Sequence, residues 1–428
     1  ALAAVLGADL CEIFTDVDGV YTTDPRILPE ARKLSTVAYD EMLELASLGA
    51  GVMHSRSIEF AKKFGVPVMV RSSFKDLPGT MIVAADRAPQ RPASGIALAK
   101  DEARFTIENL PDEPGASHAV FSRLAAAGIA VDMIVQNMGQ QGKADISFTV
   151  PGDEFLAVRE IVDAVGRDLG ATGVSHDNEL AKVSLVGMGM ARAEGVAGRM
   201  FTALAAEKVN VRMITTSEIK ISVLVGRDDG PAAVQAVHRA FGLDRAGGVE
   251  GAADSIATGR SSPLEVVRRL EGMEDLAIED CVLDASQALV TFTDLPDTPG
   301  VAAEVFQEVG QAGLFVDMIV QSHPRDGRAE ISFTVPAGDR DRAAEVAVRL
   351  AASRGATAAA VPHVAKLSIT GVGIRSHAGM ADRLFAPLAS VGVNVDLVST
   401  SEVRLNVLVA AEHGERSLKV LRQAIGLA

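Results

Sequence analysis

A long segment occurs twice in this chain of 428 residues, about 185 residues apart, with a chemically similar loop in the same place each time. Pro111–Gly115 reads PDEPG and Pro296–Gly300 reads PDTPG. Met133–Gln136 and Met318–Gln321 both read MIVQ, and DISFTVP ending at Pro151 returns as EISFTVP ending at Pro336. A finer echo lies inside each copy. KVSLVGMGM (Lys182–Met190) and KLSITGVGI (Lys366–Ile374) are each followed by a helix-like stretch and then by VNVRMITTSEI or VNVDLVSTSEV. Each long repeat is therefore two small units, and this repetition overrides the domain count expected from length. Every unit has the same order: a β-rich run, a Gly-containing loop, an amphipathic helix, two β-rich runs and a second helix. The chain is predicted to hold four small α+β modules.

Val, Ile and Phe at alternate strand positions give each module one apolar sheet face for its helices to cover. The pattern resembles the ACT domain, a ferredoxin-like βαββαβ module that pairs side by side and binds amino acids between partners. A ferredoxin-like scaffold without a ligand is the competing reading, because fold does not fix function. Asp112, Pro114 and Gly115 precede a helix predicted to begin near Ala116, whose free N–H groups would face an amino-acid carboxylate. Asp132 and Gln136 are evenly spaced on the next strand and are expected on one side of it, where they would meet an ammonium and an amide-seeking group. For any one of these residues a helix cap or a solvated strand end is the simpler account. Their repetition at Asp297, Asp317 and Gln321 favours a site.

The 41 Lys plus Arg against 56 Asp plus Glu leave a formal charge of −15. With no basic patch interleaved with aromatics, this argues against a nucleic-acid or anionic-membrane binder. Cys11 and Cys281 stand far apart in the sequence, which argues against a disulfide framework and for a reducing compartment. No signal peptide, membrane-length apolar run or lipidation signal is visible, and a cytoplasmic location is expected. The stretches Ala85–Ser94 and Arg245–Ser262 read as linkers.

The first eighty or so residues differ in kind. A short apolar strand, Leu10–Thr15, runs into Asp16, Val17, Asp18, Gly19 and Val20 and then YTTDPR, Tyr21–Arg26. Carboxylates just past a strand's C-terminal end, beside a Gly turn and an Arg, suit a nucleotide-phosphate site. An EF-hand loop starting at Asp16 fails, because Tyr21 stands where Gly is needed and Ile27 where Glu is needed. A haloacid-dehalogenase-like phosphatase would use Asp16 as nucleophile and Asp18 as acid/base, but its later lysine and acidic motifs are not found. A solvated acidic turn is the third reading.

The run TDVDGVYTTDPRILPEARKL, followed by EMLELASLGAGVMHSRSIEFAKKFGVPVMVRSSFKDLPGT through Thr80, resembles the C-terminal part of the catalytic domain of aspartate kinase. In that family the segment leads directly into tandem ACT domains, so the resemblance covers essentially the whole chain. The implied fold is the C-terminal part of an α/β amino-acid-kinase domain (1–84) followed by four βαββαβ modules. These are ACT 1 (96–178), ACT 2 (179–244), a linker (245–275), ACT 3 (276–361) and ACT 4 (362–428). By the same resemblance ATP, with Mg²⁺, is expected at Thr15, Asp16, Tyr21, Thr22, Thr23, Asp24, Pro25 and Arg26. Gly51 and Val52 match a second nucleotide contact, where the family commonly carries Lys in place of Gly51. No residue is assigned a catalytic role and no protein-held metal is expected. The family's Lys-Phe-Gly-Gly-type phosphate segment and its aspartate-holding residues are not in this sequence, so the chain alone is expected to be inactive.

The ACT resemblance implies an effector site in a first pair of modules, ACT 1 with ACT 2. One module would contribute Asp112, Glu113, Pro114, Gly115, Ala116, Ser117, Ala130, Val131, Asp132 and Gln136. Its partner would contribute Val196, Ala197, Asn210, Val211, Ser217 and Glu218. A second pair offers Asp297, Asp317, Gln321, Asn394, Ser401 and Glu402. The implied function is phosphorylation of L-aspartate to 4-phospho-L-aspartate, with feedback by L-lysine or L-threonine and homo-oligomerisation through ACT pairing. A non-catalytic amino-acid sensor is the alternative. The carboxylates Asp112, Asp132 and Glu218 favour lysine as effector of the first pair.

Overall fold

The computed structural model describes residues 1–47, 52–136, 142–245, 277–374 and 379–427. In the N-terminal part, β1 (Cys11–Thr15), β2 (Thr36–Ala38), β3 (Val68–Ser72) and β4 (Thr80–Val83) form a sheet in the order β1-β3-β4-β2. Helices α1 (Leu2–Leu6), α2 (Tyr39–Leu45) and α3 (Ser55–Lys63) accompany it. β3 buries alternate residues, as a one-face strand does. Gly19, in the turn after β1, has φ 144°, and a Cβ there would lie 2.6 Å from Thr80 Oγ1, so only glycine fits. Val20, Leu34, Met42, Leu43, Ile58, Val70 and Ile82 form the core of this part. Ala97, Val186, Ile219 and Val403 from the remainder of the chain join the same cluster, so the two parts are welded by apolar packing.

The remainder is one sheet of twelve strands. Its first half runs β5 (Gly95–Pro111), α4 (Ala116–Ala126), β6 (Asp132–Gln136), β7 (Lys143–Pro151), α5 (Phe155–Asp168), β8 (Gly173–Val186), α6 (Val196–Ala206), β9 (Met213–Ser217), β10 (Lys220–Gly226) and α7 (Gly230–Ala240). Its second half runs β11 (Ala277–Pro296), α8 (Val301–Gln311), β12 (Ile319–Gln321), β13 (Arg328–Pro336), α9 (Arg340–Arg354), β14 (Thr357–Val372), α10 (Met380–Ser390), β15 (Leu397–Thr400), β16 (Arg404–Ala410) and α11 (Gly414–Ala424). The strand order is β15-β16-β14-β11-β13-β12-β9-β10-β8-β5-β7-β6.

Four strands are long, and each serves two modules. The second part of β5 pairs with β7 and with Gly173–Asp177 of β8, closing module 1. Beyond a register shift between Ala99 and Glu102, Gly95–Ala99 pairs instead with Lys182–Val186, the strand that opens module 2. The second half repeats this: Gln287–Phe292 pairs with β13 and Leu289–Thr293 with the start of β14, while Ala277–Asp284 pairs with Lys366–Val372 of module 4. The modules are thus not strictly tandem. Residues 96–99, expected in ACT 1, complete the sheet of module 2, and 277–284, expected in ACT 3, complete that of module 4. Beyond Arg245, the expected linker 245–275 lies outside the described residues.

The expected pairing of modules also changes. β12 lies beside β9, and Phe201 of α6 packs on Phe306 of α8 with ring centroids 5.3 Å apart. Phe121 of α4 stacks on Phe385 of α10 at 5.2 Å, and Ile134 N donates to Thr400 Oγ1 at 3.4 Å. Module 2 therefore pairs with module 3, and module 1 with module 4. The reason is topological: modules 1 and 2 already share β5 and β8, which leaves β6 and β9 as the edges that must find partners elsewhere. Side-by-side pairing, expected to drive homo-oligomerisation, is thereby met within one chain. A further core of Met133, Val135, Met213, Leu224, Met318, Val320, Leu397 and Leu408 joins strands of all four modules.

Phe385 and Phe121 are both buried. Phe385→Ala should cost about 3–5 kcal/mol, read as a lower denaturant midpoint, whereas Leu156→Ala at an exposed position should stay within about 0.5 kcal/mol.

Candidate functional sites

A cavity of about 700 Å³ opens past the C-terminal end of β1. Asp16, Tyr21, Thr23, Asp24, Pro25, Arg26 and Val52 line it, which brings together residues from both sequence-predicted nucleotide segments. The third wall is Ile96–Leu98 and Lys100 of β5, held against the segment by Ile96 N donating to Thr22 O at 2.7 Å. Arg26 grips Asp24 in bidentate fashion, with Nε to Oδ1 at 3.0 Å and the guanidinium to Oδ2 at 2.7 Å. This pairing holds the Asp24 carboxyl below the usual carboxylate range.

Two expected contacts do something else. Thr15 ends β1 and donates to Asp16 at 2.9 Å. Thr22 is buried, with its Oγ1 2.9 Å from His238 Nε2 of α7 and accepting from Arg32 N at 3.0 Å, so it anchors the segment and does not line the cavity. Gly51 lies outside the described residues. Lys75 donates to Asp18 at 2.8 Å and holds that carboxyl low, which denies it the acid/base role of the phosphatase reading.

Helix α2, which leads towards Val52, carries two buried carboxylates that the sequence did not single out. Glu41 accepts from Ala38 N (3.1 Å), Ser94 Oγ (2.6 Å) and Met188 N (2.9 Å), and burial pushes its carboxyl up. Glu44 pairs with buried Lys220 at 3.0 Å and accepts from Glu402 N at 3.0 Å. Glu402, expected in an effector site, therefore belongs to this junction. Ser401 closes the β15–β16 turn, its Oγ accepting from Arg404 N at 3.1 Å. An acidic pair at i, i+3 on a short helix was the one sequence signal for the junction, and solvated Glu residues carry the same pattern.

The module pairs hold two equivalent composite sites. Between modules 1 and 4, Asn394 donates to Asp112 at 2.8 Å, Ser117 Oγ to Gln136 Oε1 at 2.5 Å, and Gln136 Nε2 to Val395 O at 2.7 Å. Between modules 2 and 3, Asn210 donates to Asp297 at 3.2 Å, Gln321 Nε2 to Val211 O at 3.1 Å, and Arg212 lies 3.7 Å from Asp297. Gly115 and Gly300, at φ 101° and 102°, set the entries of α4 and α8 at the two sites. Glu113 and Pro114 are exposed on the module 1 loop, and Ala130 and Val131 lead into β6. The first-pair residues thus divide. Asp112, Ser117 and Gln136 face module 4, whereas Asn210 and Val211 face module 3. Val196, Ala197, Ser217 and Glu218 line a further cavity of about 70 Å³ with Phe315, Val316 and Asp317.

Three carboxylates proposed for an ammonium are already engaged. Asp132 meets Lys182 at 2.8 Å, and Lys182 also meets Glu102 at 2.5 Å, all three buried. Met133 has φ 44° and the ladder shifts between Asp132 and Val135, so strict alternation breaks and Asp132 and Gln136 do not share a side. Asp317 pairs with Lys366, and Glu218 with Arg404. Beside Asp112, however, the sequence reading missed Asp396, whose carboxyl burial, reinforced by the Asp112 charge, pushes up to about 7.

Residues 1–72 match the family model for the amino acid kinase family, and ACT domain models match 289–353 and, separately, 183–241 and 367–425. The solved structure of aspartate kinase from Synechocystis covers 100% of this chain and 73% of its own, at 33% identity and a TM-score of 0.71. The chain belongs to the aspartate kinase family. The aspartate kinase of Pseudomonas putida is 48% identical over 246 residues, covering 57% of this chain and 60% of the relative. The Mycobacterium bovis aspartokinase is 45% identical over 265 residues, 61% of this chain and 62% of the relative. The chain thus spans about 60% of the length of the curated relatives it matches. No described helix is long and apolar enough to cross a membrane.

Asp396 takes up its proton on folding, because its folded carboxyl titrates near 7 and its ordinary value is 3.8. Its contribution is therefore fully present below about pH 4 and lost as pH rises towards 7. Thermal melts at pH 5 and pH 8 should show a smaller drop for Asp396→Asn than for the wild type.

Proposed function

We propose that this chain supplies a nucleotide-binding end and the amino-acid-sensing part of an aspartate kinase. The reaction is transfer of the γ-phosphoryl of ATP to the side-chain carboxylate of L-aspartate, giving 4-phospho-L-aspartate and ADP, the opening step towards lysine, threonine and methionine. The observation that carries the reading is the large cavity past β1, where Asp16, Tyr21, Thr23–Arg26 and Val52 converge although Val52 is a separate segment. Catalysis of this class is positioning plus charge stabilisation, and Arg26 is placed to trade Asp24 for a phosphate. Among the described residues no cluster of three or more His, Cys, Asp or Glu could hold a metal by itself. Mg²⁺ commonly binds through one or two carboxylates plus substrate phosphates, and Asp16 and Asp24 line the cavity where it would bind.

Feedback would act through the composite sites. L-lysine suits the site between modules 1 and 4, where Asp112 and Asp396 lie near one another. L-threonine suits the site between modules 2 and 3, where Arg212 already stands against Asp297. An effector preferring one arrangement a hundredfold supplies about 2.7 kcal/mol, enough to bias the kinase through α2.

Joined to the kinase residues its relatives carry outside the matched region, the chain should release ADP from ATP only when L-aspartate is added, in a coupled assay. Alone it should turn over negligibly. Retained amino-acid binding without any turnover in the joined polypeptide would make it a sensor. In titration calorimetry, Asp112→Ala should weaken lysine binding about ten- to hundredfold, whereas Asp132→Ala should leave it unchanged and lower stability, because it removes a partner of buried Lys182.

A further inference from the structure

Lys100 lies on the regulatory sheet, yet it lines the large cavity past β1 together with Asp16, Asp24 and Arg26. Of the two cations in that lining, Arg26 is committed to Asp24. Lys100 is exposed and makes no hydrogen bond or ion pair among the described residues. An unattached surface lysine is ordinarily just solvated, so its position needs a reason. β5 supplies one, because its backbone is fixed on both sides of the cavity wall. Ile96 N donates to Thr22 O at 2.7 Å, Ser94 Oγ donates to Glu41 at 2.6 Å, and Gly95–Ala99 is laddered to Lys182–Val186. Lys100 follows immediately, at the register shift where β5 passes from module 2 to module 1. Asp24 already feels its charge.

We propose that Lys100 is a nucleotide-binding residue, contributing an ammonium from the regulatory sheet to the polyphosphate of a nucleoside triphosphate held in this cavity. This rests on the nucleotide reading of the cavity given above. An ammonium acts there as a point charge with three donors, with no need of the planar fork of an arginine. Because Gly95–Ala99 belongs to the sheet of module 2, a shift of that module carries Lys100 with it, and ATP affinity becomes a direct readout of the regulatory sheet.

The test is equilibrium binding of ATP and, separately, of adenosine to the 428-residue chain, its Lys100→Ala variant and its Lys100→Arg variant. Lys100→Ala should weaken ATP about tenfold or more and leave adenosine, which carries no phosphate, unchanged. Lys100→Arg should retain most of the ATP affinity. If Lys100→Ala binds ATP as the wild type does, or loses adenosine and ATP equally, the role of Lys100 is overturned. If the wild type binds adenosine and ATP equally, no cation reads the polyphosphate and the role of Lys100 is likewise overturned. If the wild type binds neither ligand, the nucleotide reading itself falls.

Discussion

Two of the four small sheets, those of modules 2 and 4, are completed by a strand from outside their own segment, and the rest of the architecture depends on that backbone pairing. Gly95–Ala99 completes module 2 and Ala277–Asp284 completes module 4, so in each half the module between is enclosed by the chain of its neighbour. Backbone N–H and C=O groups at a sheet edge must find partners, and strand sharing satisfies the inner edges at once. The outer edges, β6, β9, β12 and β15, then meet across halves. Both composite sites lie on those cross-half contacts, which is why Asp112 faces Asn394 and Asp297 faces Asn210.

The same sharing brings the regulatory sheet against the kinase part. β5 is at once the last strand of module 2 and a wall of the large cavity. Where it arrives, Glu41 and Glu44 of α2 are buried among partners: backbone amides and Ser94 for Glu41, and Lys220 and Glu402 N for Glu44. A buried carboxylate tolerates no partial loss of such partners, because the remaining charge would stay desolvated. Displacement of the Lys220 hairpin or the Glu402 turn would therefore strip a partner from the buried Glu44 of α2.

The repeats, the alternating apolar strands and the Gly-containing helix entries determined the module type and number from sequence alone, because periodicity and turn chemistry act within a few residues. The TDVDG–YTTDPR segment lies at a cavity past β1, and six of the eight residues expected there to contact a nucleotide line that cavity. Thr22 shows where local reading stops, since its role is set by His238, a residue more than two hundred positions away. Asp132 shows a second limit. Even spacing put it beside Gln136, but a left-handed Met133 broke the alternation and turned it to Lys182. What only the tertiary structure decided was partnership: which module pairs with which, which carboxylates are already neutralised, and that β5 forms a wall of the cavity past β1. Equivalent repeats present equivalent edges, so sequence cannot rank the pairings, and the choice falls to the chain connectivity that leaves some edges satisfied and others open.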